Sequence, residues 1–235
     1  MNNEEIRRRF EELSTPHLAD ACVRAQIPVR CAPTGLTCVV AHGRLSGRVL
    51  PARHAGSVDI FLEAFEGALP GDVMVVDNAG RLDEACVGDL MVHEANQAGL
   101  AGIVIWGLHR DSVDIRRIGL PVFSLGTLPN GPLSVTNRSS DALTSAHVGE
   151  WALGTGDVVF ADDDGVLFIP GDHAEEIFLL AESIRDTEVN QAHKMLAGTS
   201  LRDQVHFDDF LSKRAANPTL TFREHLRSVS GEIEV

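Results

Sequence analysis

The sequence contains no tyrosine and two tryptophans, and aromatic residues make up 5% of it. A core built on stacked large rings is thereby excluded. The plentiful Val, Leu, Ala and Gly suit a sheet of small aliphatic side chains covered by helices. The four cysteines, Cys22, Cys31, Cys38 and Cys86, form no CxxC pair and no metal-ligand spacing. They read as reduced thiols, not as a disulfide framework or a zinc site. Basic residues are also scarce: 20 Lys and Arg face 34 Asp and Glu, for a formal charge of −14. With no basic stripe to offset that charge, binding to nucleic acid or to an anionic membrane surface is not expected. No apolar run approaches the length needed to cross a bilayer. The opening "MNNEEIRRRFEEL" is charged and lacks the apolar stretch of a signal peptide. The expectation is a cytoplasmic protein.

What is present fits one sizeable core: 235 residues, 44% hydrophobic and 23% charged. A charged first helix is followed by "LSTPHLADACVRA", a second helix that Thr15 would cap, with Pro16 in its first turn. Short β-like runs lie at Cys38–Ala41 and Arg44–Leu50. "SVDIFLEAFEGALPGD" has helical spacing and stops at Pro70-Gly71. "DVMVVD" and "GIVIW" are strands apolar enough to be covered on both faces, and "LPVFSLG" is another. Between the first two, "GDLMVHEANQAGLAG" reads as a helix with an acidic start and a glycine stop. "GDVVFADDDGVLFIP" reads as a hairpin turning at Asp162 to Gly165. From Asp172 the periodicity becomes helical up to Gly198, and two shorter helices open at Ser200 and at Thr221, the latter with Glu224 three residues on. The division is an α/β core with N-terminal helices over residues 1–171 and a helical C-terminal extension over 172–235, apolar enough to pack on a neighbouring subunit.

The GIVIW strand ends in the charged triplet His109, Arg110, Asp111 before the next strand begins. In α/β folds ligands bind beyond the carboxyl ends of strands. On position alone, Arg110 and Asp111 read as an ion pair closing a loop. Asp89 changes the weighting, because it sits at another loop-to-helix junction with twenty residues between it and Arg110. One β-α-β unit of that length returns the chain to the same sheet edge, so Asp89, Arg110 and Asp111 would face one cleft. Two carboxylates and a guanidinium suit a hard divalent cation, Mg²⁺ or Mn²⁺, and an oxyacid. The amides of Leu90 and Met91, just after Gly88 and Asp89, would offer a further anion site.

Asp89, Arg110 and Asp111, framed by "PGDVMVVD", "VGDL", "GLAGIVIWG" and "LPVFSLG", give a pattern that resembles the RraA-like family, which includes divalent-metal-dependent aldolases for 4-hydroxy-4-methyl-2-oxoglutarate and 4-carboxy-4-hydroxy-2-oxoadipate. The similarity runs from about Ser14 ("STPHLADA") through "ADDDGVLFIP". It implies a swivelling β/β/α core in trimers or hexamers with active sites at subunit interfaces. It further implies that Asp111 holds the metal, directly or through water, and that Arg110 binds the pyruvyl portion and offsets enolate charge. Asp89 would order a water, and the Leu90 and Met91 amides, with Gly88 before them, would take the substrate carboxylate. A glutamate from a neighbour's C-terminal helix completes such sites. Counting back from Gly198, Glu188 is the candidate.

The expected reaction is retro-aldol cleavage of a 4-hydroxy-2-oxo acid to pyruvate, with oxaloacetate decarboxylation through the same enolate. Lys194 and Lys213 lie in the C-terminal region, away from the motif, and no Schiff base is needed. The alternative is a non-catalytic regulator that binds an RNase E-type nuclease. A quinone-pathway methyltransferase has no support, because no glycine-rich cofactor loop is present. Trp106 and His109 depart from the family's usual residues, and His109, a lone histidine, reads as a bulky neighbour more readily than as an acid/base group. Asp162–Asp164 read as a turn and not as a calcium loop. His54 and His93 lack partners at ligand spacing, His93 and Gln97 read as a solvated face, and Asp72 and Asp77 as turn caps.

Overall fold

The apolar strands dictate the architecture. A computed structural model, describing residues 1–229, contains in chain order α1 (Asn3–Phe10), α2 (Thr15–Arg24), β1 (Arg30–Cys31), β2 (Thr37–Cys38), β3 (Leu45–Arg53), α3 (Asp59–Glu66), β4 (Val73–Asp77) and β5 (Ala85–Val87). The chain continues through α4 (Asp89–Gln97), β6 (Gly102–Trp106), β7 (Leu108–His109), α5 (Ser112–Ile118), β8 (Val122–Ser124), β9 (Ser145–Val148) and β10 (Trp151–Gly154). Last come β11 (Asp157–Asp162), β12 (Gly165–Pro170), α6 (Ala174–Leu196), α7 (Leu201–Gln204), α8 (Phe207–Ala216) and α9 (Phe222–Ser228). Residues 230–235 of the expected extension lie outside the described residues.

Packing divides the chain into two units: Met1–Pro16 with Val29–Glu175, and His17–Pro28 with the chain from Glu176 onward. In the first, eight strands form one sheet in the order β1-β12-β11-β3-β4-β6-β8-β2. The strands β3, β4, β6 and β8 are mutually parallel, and the others pair antiparallel. Side chains alternate across a strand, so the apolar runs feed two cores. Met74, Val76, Ile103, Ile105 and Val122 pack with Ile60, Phe61, Val92 and Ile115 of the helices. Val73, Val75, Val104 and Phe123 pack with Ala146, Val148 and Leu153 of the β9–β10 hairpin. Each fully buried aliphatic or aromatic chain contributes about 1.5–3 kcal/mol. Phe61, Phe123, Phe160 and Phe168 are all fully buried.

The Asp162 to Gly165 turn forms as expected, closing the β11–β12 hairpin. Thr15 is a correction. It is the first residue of α2 and not its cap, and its hydroxyl and amide donate to Asp162 Oδ1 and Oδ2 at 2.6 and 2.8 Å. The buried carboxylate of Asp162 therefore satisfies the helix start from across the fold. Asp72 and Asp77 do cap turns, through the amides of Leu69 and Ala79, and both also make long-range bonds, to Asn3 Nδ2 and to the His147 amide.

In the second unit, capping boxes open α7 at Ser200 and α9 at Thr221–Glu224. A helix not read from the sequence, α8, lies between them, and Phe207, Phe210, Phe222 and His225 form its aromatic cluster. On α6, Leu179, Val189, Met195 and Leu196 are exposed.

Candidate functional site

The candidate site is assembled by a two-strand pairing too short to recognise in the sequence. Strands β5 and β7 run parallel, with Ala85 opposite Leu108 and Val87 opposite His109. The Arg110 amide extends the ladder by donating to the Val87 carbonyl at 2.9 Å. On its other side β7 is held by the His109 amide, which donates to Gly126, and by a parallel bridge to Thr127. The crossover through α4 and β6 thus returns the chain so that Arg110 and Asp111 lie beside Gly88 and Asp89.

Asp111 adopts a left-handed conformation (φ 60°, ψ 36°) at the start of α5. Aspartate tolerates this region better than most residues. The turn directs its carboxylate back toward α4: Oδ2 lies 3.4 Å from the Asp89 amide and 3.5 Å from Arg110 Nε. Gly88 makes the approach possible, because a Cβ there would fall 2.4 Å from Asp111 Oδ2 and 3.2 Å from Arg110 Nε. Gly131 borders the guanidinium in the same way, with a would-be Cβ 3.0 Å from Nη1. Neither Gly131 nor the neighbouring Pro132 stood out in the sequence.

Asp89, Leu90, Met91, Arg110 and Asp111 line one cleft of about 160 Å³, with Val58, Cys86 and Pro132 supplying apolar wall. Arg110 and Asp111 are half-exposed, so their charges remain available. The Leu90 amide is already engaged, donating to Asp89 Oδ1 at 2.8 Å. The first amide of α4 to bond back along the helix is that of Val92, to Gly88, leaving Leu90 and Met91 in the anion-favouring first turn.

His109 is buried, with Nδ1 2.7 Å from Ser124 Oγ and Nε2 2.8 Å from Ser112 Oγ. Burial pushes its pKa down. The ring joins β8 to Ser112, the residue after Asp111, and does not line the cleft. Trp106 packs over Gly80, where a Cβ would fall 2.9 Å from the indole. His93 and Gln97 are exposed on α4. His54 lies at a different cavity. Glu188 belongs to the second unit, on α6, with Oε2 3.1 Å from His17 Nε2.

Among the described residues no group of three His, Cys, Asp or Glu gathers into a metal cage. Asp111 and Asp89 side by side nonetheless fit Mg²⁺ or Mn²⁺, which bind through one or two carboxylates and keep several waters. A caged metal such as structural zinc does not fit this donor set.

Known proteins place this geometry in context. The chain is 34% identical over 130 residues to Protein DlpA of Legionella pneumophila, a match covering 55% of this chain and 21% of that protein. It is 33% identical over 122 residues to a Dechloromonas aromatica protein named "Putative 4-hydroxy-4-methyl-2-oxoglutarate aldolase", covering 52% of this chain and 74% of that one. The crystal structure of Streptomyces coelicolor RraAS2, titled an unusual member of the RNase ES inhibitor RraA protein family, superposes with a TM-score of 0.67 at 26% identity. That match covers 80% of this chain and 94% of RraAS2. The model of the RraA-like family, described as Aldolase/RraA, matches residues 15–168, which span the sheet but for the end of β12, the β5–β7 pairing and the whole cleft, and the chain therefore belongs to the RraA-like family.

Proposed function

We propose that the chain is a divalent-metal-dependent carbon–carbon lyase that cleaves a 4-hydroxy-2-oxo acid and releases pyruvate. The observation that carries this reading is the convergence of Arg110, Asp111 and Asp89 on one cleft at the start of α4. The Aldolase/RraA family description and the aldolase name of the Dechloromonas relative support the same class.

Arg110 presents a planar fork of donors matched to a 2-oxo acid, and its charge opposes the negative charge that grows on the C2 oxygen as the C3–C4 bond breaks. The substrate carboxylate takes the Leu90 and Met91 amides, replacing the contact that Asp89 Oδ1 now makes with Leu90. Asp89, so released, orients the water that receives the C4 hydroxyl proton. Asp111 is the anchor for Mg²⁺ or Mn²⁺, and that ion, when bound, supplies Lewis-acid stabilisation of the enolate. Gly88 keeps the floor of the cleft clear for the Arg110–Asp111 pair. Decarboxylation of oxaloacetate needs the same enolate stabilisation and no further group, so it accompanies the aldol cleavage. In a trimer or hexamer, Glu188 of a second copy would complete the site.

A second reading, a nuclease-binding regulator, is favoured by the RraAS2 relationship. One experiment separates the two. Metal-stripped protein is offered oxaloacetate, 4-hydroxy-4-methyl-2-oxoglutarate and 4-carboxy-4-hydroxy-2-oxoadipate, with and without Mg²⁺ or Mn²⁺, and pyruvate is read by coupling to lactate dehydrogenase. Metal-dependent pyruvate beyond that formed by metal alone, and lost in Asp111→Ala, supports the lyase. No pyruvate, together with specific retention of an RNase E-type nuclease on the immobilised chain, supports the regulator.

A further inference from the structure

The parallel strands β3 and β4 end side by side, Arg53 opposite Asp77. Beyond their carboxyl ends lies a second cavity, of about 270 Å³, that shares no lining residue with the Arg110–Asp111 cleft. Its wall is firmly built. Asp77 is buried and accepts the amides of Ala79 and His147, each at 2.9 Å. Ala79 is held at φ 56°, a conformation costly for a residue with a Cβ. His54 stacks on Phe61 at 5.4 Å between ring centroids, and its Nδ1 lies 2.9 Å from Asn78 Oδ1.

The wall also carries unused hydrogen-bonding capacity. Glu84 is 2% exposed and lines the cavity, and among the described residues its carboxylate has one ionic partner, Arg81 Nη1 at 3.1 Å. Arg81 is itself shared, its Nε and Nη2 being committed to Asp83. An ionised carboxylate offers about four acceptor positions, so most of those on Glu84 are open. Asn78 is 4% exposed, and its Nδ2 has no partner, nor has His54 Nε2. A buried polar group left unmatched destabilises the fold. Two such atoms, Asn78 Nδ2 and His54 Nε2, beside a carboxylate with open acceptor positions mark a place where something other than the chain completes the bonding.

The charges around the cavity say what that is. Arg53 and Arg81 face the two carboxylates that line the cavity, Asp77 and Glu84, and each is also drawn to a second carboxylate outside the lining, Asp141 or Asp83. Across that cluster carboxylates outnumber guanidinium groups by two, which favours a cation over an anion there. Asn78 Nδ2 asks in addition for an oxygen acceptor. We propose that this cavity binds a small organic cation, an ammonium compound carrying a hydroxyl or carbonyl oxygen nearby, with Glu84 holding the positive group and Asn78 donating to the oxygen. Nothing in the lyase reading uses these residues, so the proposal stands apart from it.

The test uses ethanolamine and glycinamide as probes and pyruvate as the anionic control, followed by amide chemical-shift changes in the full-length protein. The expected result is saturable change at Asn78, Ala79 and Gly80 with the amines at millimolar concentration, and not with pyruvate. Glu84→Gln should weaken amine binding by about tenfold, and Arg81→Gln, which removes the competing cation, should tighten it. Opposite effects of two substitutions at one ion pair cannot come from misfolding. No saturable change with either amine, stronger response to pyruvate, or Glu84→Gln and Arg81→Gln moving affinity in the same direction would overturn the proposal and leave a water-filled cavity.

Discussion

Asp111 Oδ2 lies 2.4 Å from the point where a Cβ on residue 88 would stand, and residue 88 is glycine. The aspartate reaches that point because the Arg110 amide is clamped to the Val87 carbonyl and the next residue turns left-handed. The missing side chain and the turn are two halves of one arrangement.

Gly88→Ala is the direct probe of it. The backbone at 88 has ordinary dihedrals (φ −126°, ψ −174°), so alanine is compatible with the chain itself. The added methyl must displace Asp111 and Arg110. Pyruvate-forming kcat/KM should fall by about 10²-fold, as for a displacement near 1 Å, while the melting temperature moves by only a few degrees. Unchanged activity would mean that the pair need not sit where it does.

Acid sensitivity follows from His109 and His54. Burial is the leading cause that pushes both pKa values below the ordinary 6.5. An unfolded chain binds protons at these positions more readily than the folded one, so their neutral forms favour folding above pH ~6.5. That contribution is lost as pH falls below ~6.5 toward the lowered folded values. Chemical denaturation across this range should show stability declining on acidification, with a shallower decline in His109→Gln. An identical slope in the variant would show that the Ser112–His109–Ser124 bridge carries no proton linkage.

Asp162→Ala removes the acceptor for the Thr15 amide and hydroxyl and for the Asp164 amide. The loss should be about 1.5–3 kcal/mol of unfolding free energy, since bonds to a charged acceptor exceed neutral ones. Urea denaturation reads it. Thr15→Val, which spares the amide bond, should cost less.

Much of the first unit was legible because "DVMVVD" and "GIVIW" are apolar at every position that must face one of two cores. The β9–β10 hairpin was not, since "SAHVGEWALG" is short and mixes polar residues with small ones. Strand β7 is two residues long, and its pairing with β5 is a matter of register, which periodicity does not encode. The direction of return from Asp89 to Arg110 could be reasoned from chain length. The contact of Leu90 with Asp89, the serine partners of His109 and the clearance at Gly88 depend on side-chain and backbone positions no spacing specifies. Glu84 sits in "RLDEAC", which reads as a solvated turn, yet its carboxylate is buried.

Exchange of the pyruvate methyl protons for deuterium in D₂O, followed by NMR, tests the central claim most directly, because it reads enolate formation without knowledge of the full substrate. Asp111→Asn is the comparison, asparagine being tolerated in the left-handed turn. The account predicts exchange that requires Mg²⁺ or Mn²⁺ in the native chain and falls to background in Asp111→Asn. Absence of exchange with either metal, or equal exchange in the variant, would contradict it.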